Sequence, residues 1–259
     1  MSDGGNTYSH ALVRPPGESF ARAISSQGLP LDVALARRQH AGYCDALREA
    51  GFSIAELPAD EAHPDSCFIQ DPAIVVAGHG ILCRMGAASR AGEPDAVADW
   101  LSRRFQVSRI QAPGTLEGGD VIILPGRLIV GQSARTNAAG IAQLGEILAP
   151  LSIGVTAVPV TRYLHLLTAV TYVGHNVLLV LEGSGYEDHP AFAGFDSVIV
   201  PSDEAGAADS LGTGDTAILP EGCPRTAAAL RSRGFRVIEP PLSAFAAADG
   251  GVTCLSLVW

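Results

Sequence analysis

The sequence has no apolar run long enough to span a membrane; its longest, around Val177–Leu181, falls far short of the roughly twenty residues a spanning helix needs. It also lacks an apolar signal core at its start, where Met1 to Tyr8 is polar and glycine-rich and reads as a flexible tail. Positive charge is in short supply: 17 Lys and Arg stand against 27 Asp and Glu, a net charge of −10. That balance argues against a nucleic-acid partner, which needs a basic face, and is compatible with a small cationic ligand. The five cysteines are an odd number and show no CxxC spacing. This disfavours both a zinc site and a disulfide framework and reads as reduced thiols in a cytoplasmic protein. No linker or low-complexity stretch interrupts residues 1–259, which read as one domain. With 47% apolar and 17% charged residues, the chain can bury a sizeable core.

What is present is a recurrence. Five short apolar segments end in proline, at Pro58, Pro113, Pro159, Pro201 and Pro240, at intervals of 55, 46, 42 and 39 residues. Periods of this size point to repeated supersecondary units. Strands are expected after each proline, over 73–76 and 81–84, 121–124 and 128–130, 170–173 and 177–181, 216–219, and 253–258. Gly78-His79-Gly80, Pro125-Gly126 and Gly174-His175-Asn176 supply turn chemistry between three of the pairs. Helices are expected over 33–50, with Asp32 as its cap and Gly51 as its stop, and over 95–105, 137–148 and 225–233. The natural reading is an α/β fold of five βαβ-like modules around a pseudo-fivefold axis; an ordinary α/β sheet is the alternative.

If the modules close around an axis, each loop after a proline delivers residues to one central spot. The first offers Asp65, Phe68, Gln70 and Asp71, the second Glu117 to Asp120, and the third His165. The fourth offers Asp203, Glu204 and Asp209, and the fifth Cys254. Each has a bland reading. Cys254 could be a small core residue, His165 a buried structural histidine between Leu164 and Leu166, Glu117 a solvated loop charge, and Asp71 a turn residue before Pro72. Jointly, one per repeat, they form a cysteine, histidine and carboxylate set in an acidic pocket. Cysteine is a nucleophile, one histidine can move protons both ways, and a carboxylate can fix its tautomer.

The motifs Leu57-Pro58-Ala59-Asp60-Glu61, Pro64-Asp65-Ser66 with Phe68 and Asp71, Leu116-Glu117-Gly118-Gly119-Asp120, Gly131 to Asn137, Leu164-His165-Leu166 and Asp249-Gly250-Gly251-Val252-Thr253-Cys254 resemble the dimethylarginine dimethylaminohydrolase family. The resemblance runs from about His10 to Trp259. It implies the pentein α/β-propeller and a guanidino-modifying hydrolase. Cys254 is then the nucleophile, His165 the general acid and base, and Glu117 its orienting carboxylate. Asp71 holds the guanidinium nitrogens, with Asp65, Phe68 and Gln70 around them. Arg90 and Arg135 grip the substrate carboxylate. Backbone carbonyls near Ile24 and at Ala248 receive the α-amino group.

The implied reaction turns Nω-methylated L-arginine into L-citrulline and methylamine or dimethylamine through a covalent thiouronium. It needs neither metal nor organic cofactor, in a monomer or homodimer without nucleic-acid or membrane partners. Three positions depart from the family pattern. Gln70 stands for a glutamate, Leu167 for a lysine, and Asp209-Ser210 for asparagine-cysteine. They leave open a related hydrolase acting on arginine or another N-substituted arginine. Deiminases and amidinotransferases are longer chains. The non-catalytic penteins that bind ribosomal subunits lack the trio, and a binding protein for cationic amino acids would not need Cys254 beside His165.

Overall fold

The computed structural model describes residues 8–259. Most of the expected tail lies outside them; Tyr8, at its end, is half-buried, and its carbonyl accepts a hydrogen bond from Thr213 Oγ1 at 2.7 Å.

Five three-stranded sheets make up the fold. In each, a central strand pairs antiparallel with a hairpin or closing strand and parallel with a strand that returns after a crossover. Along the chain the second sheet is Ala73–Val76, His79–Leu82 and Gln106–Arg109. The third is Val121–Leu124, Arg127–Gln132 and Gly154–Pro159. The fourth is Val170–Gly174, Val177–Leu181 and Asp196–Val200, and the fifth Leu211–Thr213, Thr216–Ile218 and Arg236–Ile238. The first sheet closes the ring. Its central strand His10–Val13 runs parallel to Ser53–Glu56 and antiparallel to Ser256–Val258 from the far end of the chain. This is the pentein α/β-propeller arrangement. The proline periodicity marks the exits of the parallel strands: Pro159 is the last residue of its strand, and Pro58, Pro113, Pro201 and Pro240 follow theirs within four residues.

The crossovers are helical for local reasons. Asp32 accepts from Leu35 N–H at 2.9 Å at the start of Val33–Glu49, and Asn137 accepts from Gly140 N–H at 2.8 Å at the start of Ala138–Leu148. Glu93–Ser102 and Pro224–Arg231 each carry proline in the first turn, where no N–H is missed. The fourth module crosses over with only the single turn Pro190–Phe192. Helix Val33–Glu49 packs Tyr43 and Leu47 into a cluster with Phe20, Phe68, Phe245 and Leu255. Its Tyr43 Oη meets Ser256 Oγ at 2.7 Å in the interior. That bond ties the helix to the last strand, two residues beyond Cys254.

Three strand expectations change. The strand expected over 81–84 is His79–Leu82, because the hairpin turns at Ala77 and Gly78, both at positive φ, and His79 and Gly80 already belong to the ladder. The segment expected to be extended from 253 begins with the 3₁₀ turn Thr253–Leu255, and the strand starts at Ser256. Leu211–Thr213 is a strand with no apolar alternation to announce it. Its Gly212 is there because the backbone of Val173, in the neighbouring module, passes where a side chain would stand. Gly212→Ala is therefore expected to cost about 3 kcal/mol, the upper end for overpacking, since backbone rather than a flexible side chain must yield. The urea midpoint should fall with little change in slope; an unchanged midpoint would mean that the fourth and fifth modules part freely.

Candidate active site

The post-proline loops converge on a narrow cleft lined by Ile24, Asp65, Phe68, Asp71, Arg90, Arg135, Leu164, His165, Ala248 and Cys254, with Asp249 and Gly250. Nine of the eleven residues to which the resemblance gives a role line it. A tenth, Glu117, lies fully buried behind His165.

Cys254 is presented by the 3₁₀ turn that follows Gly250-Gly251. Gly251 N–H points at its Sγ at 3.4 Å, and its carbonyl accepts from Gln70 N–H at 3.3 Å. Phe68 packs edge-on against Phe20 and Phe245 beneath the cleft. Asp65 Oδ1 accepts from Ile24 N–H at 3.0 Å, which fixes the segment that forms one wall.

His165 Nε2 bonds to Glu117 Oε2 at 2.8 Å and lies 4.0 Å from Asp71 Oδ1. Glu117 is held in turn by Gly86 N–H at 2.9 Å, Ala87 N–H at 3.3 Å and the Arg135 guanidinium at 3.4 Å. Asp71 accepts from Gly119 N–H at 2.9 Å and from Arg90 at 2.7 Å. Gly119 is required: a Cβ there would sit 2.6 Å from His165 Nδ1 and 2.8 Å from Asp71 Oδ1. Asp120 accepts from Ser133 Oγ at 2.6 Å and from Leu166 N–H at 3.0 Å, fixing the loop that carries His165.

The electrostatics follow from these contacts. Burial disfavours the His165 imidazolium, but Asp71, the Glu117 hydrogen bond and Asp120 outweigh it and lift its pKa to about 9. Burial opposes ionisation of Asp71 and Glu117 as well, yet His165 and Arg90 hold both below the usual carboxylate range. The Cys254 thiol is pushed well above its ordinary value by burial, then by Asp209 and Asp71. The resting pair is therefore a neutral thiol and an imidazolium. Asp71, Glu117 and His165 bring ligand atoms within 4.8 Å of one another, close enough to consider a metal. Here Arg90 and the imidazolium supply the positive charge that a cation would bring.

Three expectations need correction. Gln70 is not in the cleft: its Nε2 donates to the Gly118 carbonyl at 2.7 Å, and it lines a separate cavity with Leu167 and Ser210. Consecutive residues of a tight turn point in different directions, so adjacency to Asp71 did not place it in the cleft. Arg90 lines the cleft, but four of its five N–H groups are already engaged, with both oxygens of Glu93, Asp71 and the Phe68 carbonyl. Its first task is to neutralise buried carboxylates. Asp203 and Glu204 are outside the site. Glu204 caps the helix Pro224–Arg231 through Arg225 and Thr226 N–H at 3.0 and 2.9 Å, and Asp203 pairs with Arg225. Asp209, from the same loop, does reach the centre: its Oδ2 is 3.8 Å from Cys254 Sγ. Glu93 was missed; its only signal is its place three residues after Arg90.

No family model matches the chain. It is 36% identical over 254 residues to the N(G),N(G)-dimethylarginine dimethylaminohydrolase of Pseudomonas aeruginosa, covering 96% of this chain and 99% of that one. A solved structure of the Pseudomonas aeruginosa enzyme, a cysteine-to-serine mutant complexed with citrulline, superposes with a TM-score of 0.94 at 35% identity, covering 98% of this chain and 100% of the other. A dimethylarginine dimethylaminohydrolase with histidine replaced by glycine, an adduct with S-methyl-L-thiocitrulline, also gives 0.94 at 35% identity, over 98% of this chain and 100% of that one. With full-length similarity of this order, the chain belongs to the dimethylarginine dimethylaminohydrolase family.

Proposed function

We propose that this chain hydrolyses Nω-methylated L-arginine to L-citrulline and methylamine or dimethylamine through a thiouronium on Cys254. The observation that carries this reading is a thiol facing the same cleft as Asp71 and an imidazolium pinned by Glu117. Relatives holding citrulline and a thiocitrulline adduct support it.

Asp71 and Asp65 receive the guanidinium. Arg135, with the remaining N–H of Arg90, receives the α-carboxylate, and the carbonyls of Ile24 and Ala248 receive the α-amino group. The Cys254 thiolate attacks the guanidinium carbon. His165, already protonated, gives its proton to the departing amine, and the neutral imidazole then takes one from the attacking water. Nε2 is committed to Glu117, so Nδ1 is the nitrogen that moves the proton. The thiol and the imidazolium supply nucleophile and acid without a cofactor. All these groups come from one chain, so the chemistry is complete in a monomer, and a homodimer would add none of them. The five cysteines are free, and we place the protein in the cytoplasm, where such a thiol stays reduced.

A citrulline assay with arginine, monomethylarginine and dimethylarginine tests the reading; turnover of arginine alone would replace it with a deiminase. Cys254→Ser should abolish turnover while leaving the fold intact.

The pH dependence has a definite sign. Because His165 must be protonated to expel the amine and titrates at about 9, kcat should hold through neutrality and fall above that value. Glu117→Gln should move the limb to lower pH. A limb that stays in place in that variant would remove His165 from the role.

Arg135→Ala loses a charge-assisted contact worth about 1.5–3 kcal/mol, so KM should rise roughly ten- to a hundredfold with a smaller change in kcat. Equal efficiency of wild type on arginine derivatives and on their decarboxylated analogues would exclude the contact.

A further inference from the structure

The proposed function, on which this inference rests, leaves one proton without a destination. Cys254 rests as a thiol and must lose its proton before it attacks. His165 cannot take it: it is already an imidazolium, its Nε2 is bonded to Glu117 at 2.8 Å, and no hydrogen bond joins it to Sγ. The acceptor in contact with Sγ is Asp209 Oδ2, at 3.8 Å. Its other oxygen, Oδ1, accepts from Thr253 N–H at 2.9 Å and from Thr253 Oγ1 at 2.7 Å, so the carboxylate is locked to the turn that carries the nucleophile. Gly251 is part of the fit, since a Cβ there would fall on the Asp209 carboxylate.

We propose that Asp209 is the catalytic base that takes the Cys254 thiol proton when a guanidinium enters the cleft. Burial raises the Asp209 carboxyl above the ordinary aspartate range, against the two Thr253 donors, which makes it a better acceptor. Asp71 and the Tyr43 hydroxyl are the other ionisable groups acting on this pair, and Arg90 the cation.

The protons then balance. The S–H proton passes to Asp209 and the thiolate bonds to the guanidinium carbon. The His165 proton goes to the amine nitrogen, and that C–N bond breaks. Water attacks the thiouronium and gives a proton to His165. The C–S bond breaks, the thiolate recovers its proton from Asp209, and the hydroxyl proton of the nascent ureido group leaves with the amine as its ammonium ion.

The test is a proton count on the whole enzyme at pH 7. The ligand is the amidinium analogue of arginine in which a methyl group replaces one guanidinium nitrogen. Ultraviolet thiolate absorbance and an indicator dye are read together, for wild type and Asp209→Asn. Wild type should show the Cys254 thiolate signal with no proton released. Asp209→Asn, which keeps an oxygen for Thr253, should release about one proton per thiolate formed. Its turnover of dimethylarginine at pH 7 should fall about a hundredfold and recover as pH rises. Release of one proton per thiolate by wild type would overturn the proposal, as would a wild type without any thiolate signal. Failure of wild type to form citrulline would instead sink the proposed function, and the proton count would still judge Asp209.

Discussion

The site depends on one act of charge compensation in the interior. Arg90, 4% exposed, lies between Asp71 and Glu93, and His165, 5% exposed, lies against Glu117 and Asp71. Each of these charges alone would be costly to bury, and each is fixed by its neighbours' donors and acceptors. Removing any one strands the others, so the network fixes side-chain direction more firmly than packing alone would. It also explains why the loops that meet here are rich in glycine: the backbone must approach closely enough for Gly119 and Gly86 N–H to reach the carboxylates. Arg90 is therefore a structural cation before it is a binding one.

The fold places this network where it does because each module delivers its loop to the same end. The fifth module is the special case. Cys254 precedes the strand that closes the ring onto His10–Val13, and that strand is anchored by Tyr43 through Ser256. Closing the propeller and positioning the thiol are thus a single event. The pairing of Ser256–Val258 with His10–Val13 therefore sets where Cys254 stands relative to the cleft.

Much of this was legible in the sequence because it rests on residues whose roles are local. Proline at the parallel-strand exits, Asp32 and Asn137 as caps, and glycine at hairpin turns act through backbone geometry, and they marked the modules. That Cys254, His165 and Asp71 would face one cleft, with Glu117 behind the histidine, was legible because the loops carrying them follow the repeat. What was hidden depends on direction across space. Gln70 and Asp71 are neighbours in sequence, but only Asp71 turns into the cleft. Glu204 and Asp209 share one loop, yet one caps a helix and the other meets Sγ. Leu211–Thr213 is extended through its pairing with Thr216–Ile218, and the backbone of Val173 beside Gly212 sets how closely the two modules approach; no property of Leu-Gly-Thr announces either. Arg90 showed its charge in the sequence but not that Glu93 and Asp71 would already occupy it.

Under the proposed function, the negative field that receives a cation also keeps the Cys254 thiol quiet. Asp209 and Asp71 disfavour a thiolate at Cys254 while the cleft holds no positive ligand. The thiol is therefore poorly reactive toward stray electrophiles and oxidants, which attack the anion. A guanidinium reverses this. At about 4 Å and an effective dielectric of about 20, one unit charge is worth about 4 kcal/mol, roughly a thousandfold in the ratio of thiolate to thiol. A neutral ureido product brings no such charge, so the thiol is quenched again once the reaction is over. In the proposed reaction, selectivity for a cation, activation of the thiol and its return to rest are then one electrostatic effect, set by carboxylates that the fold holds within reach of sulfur.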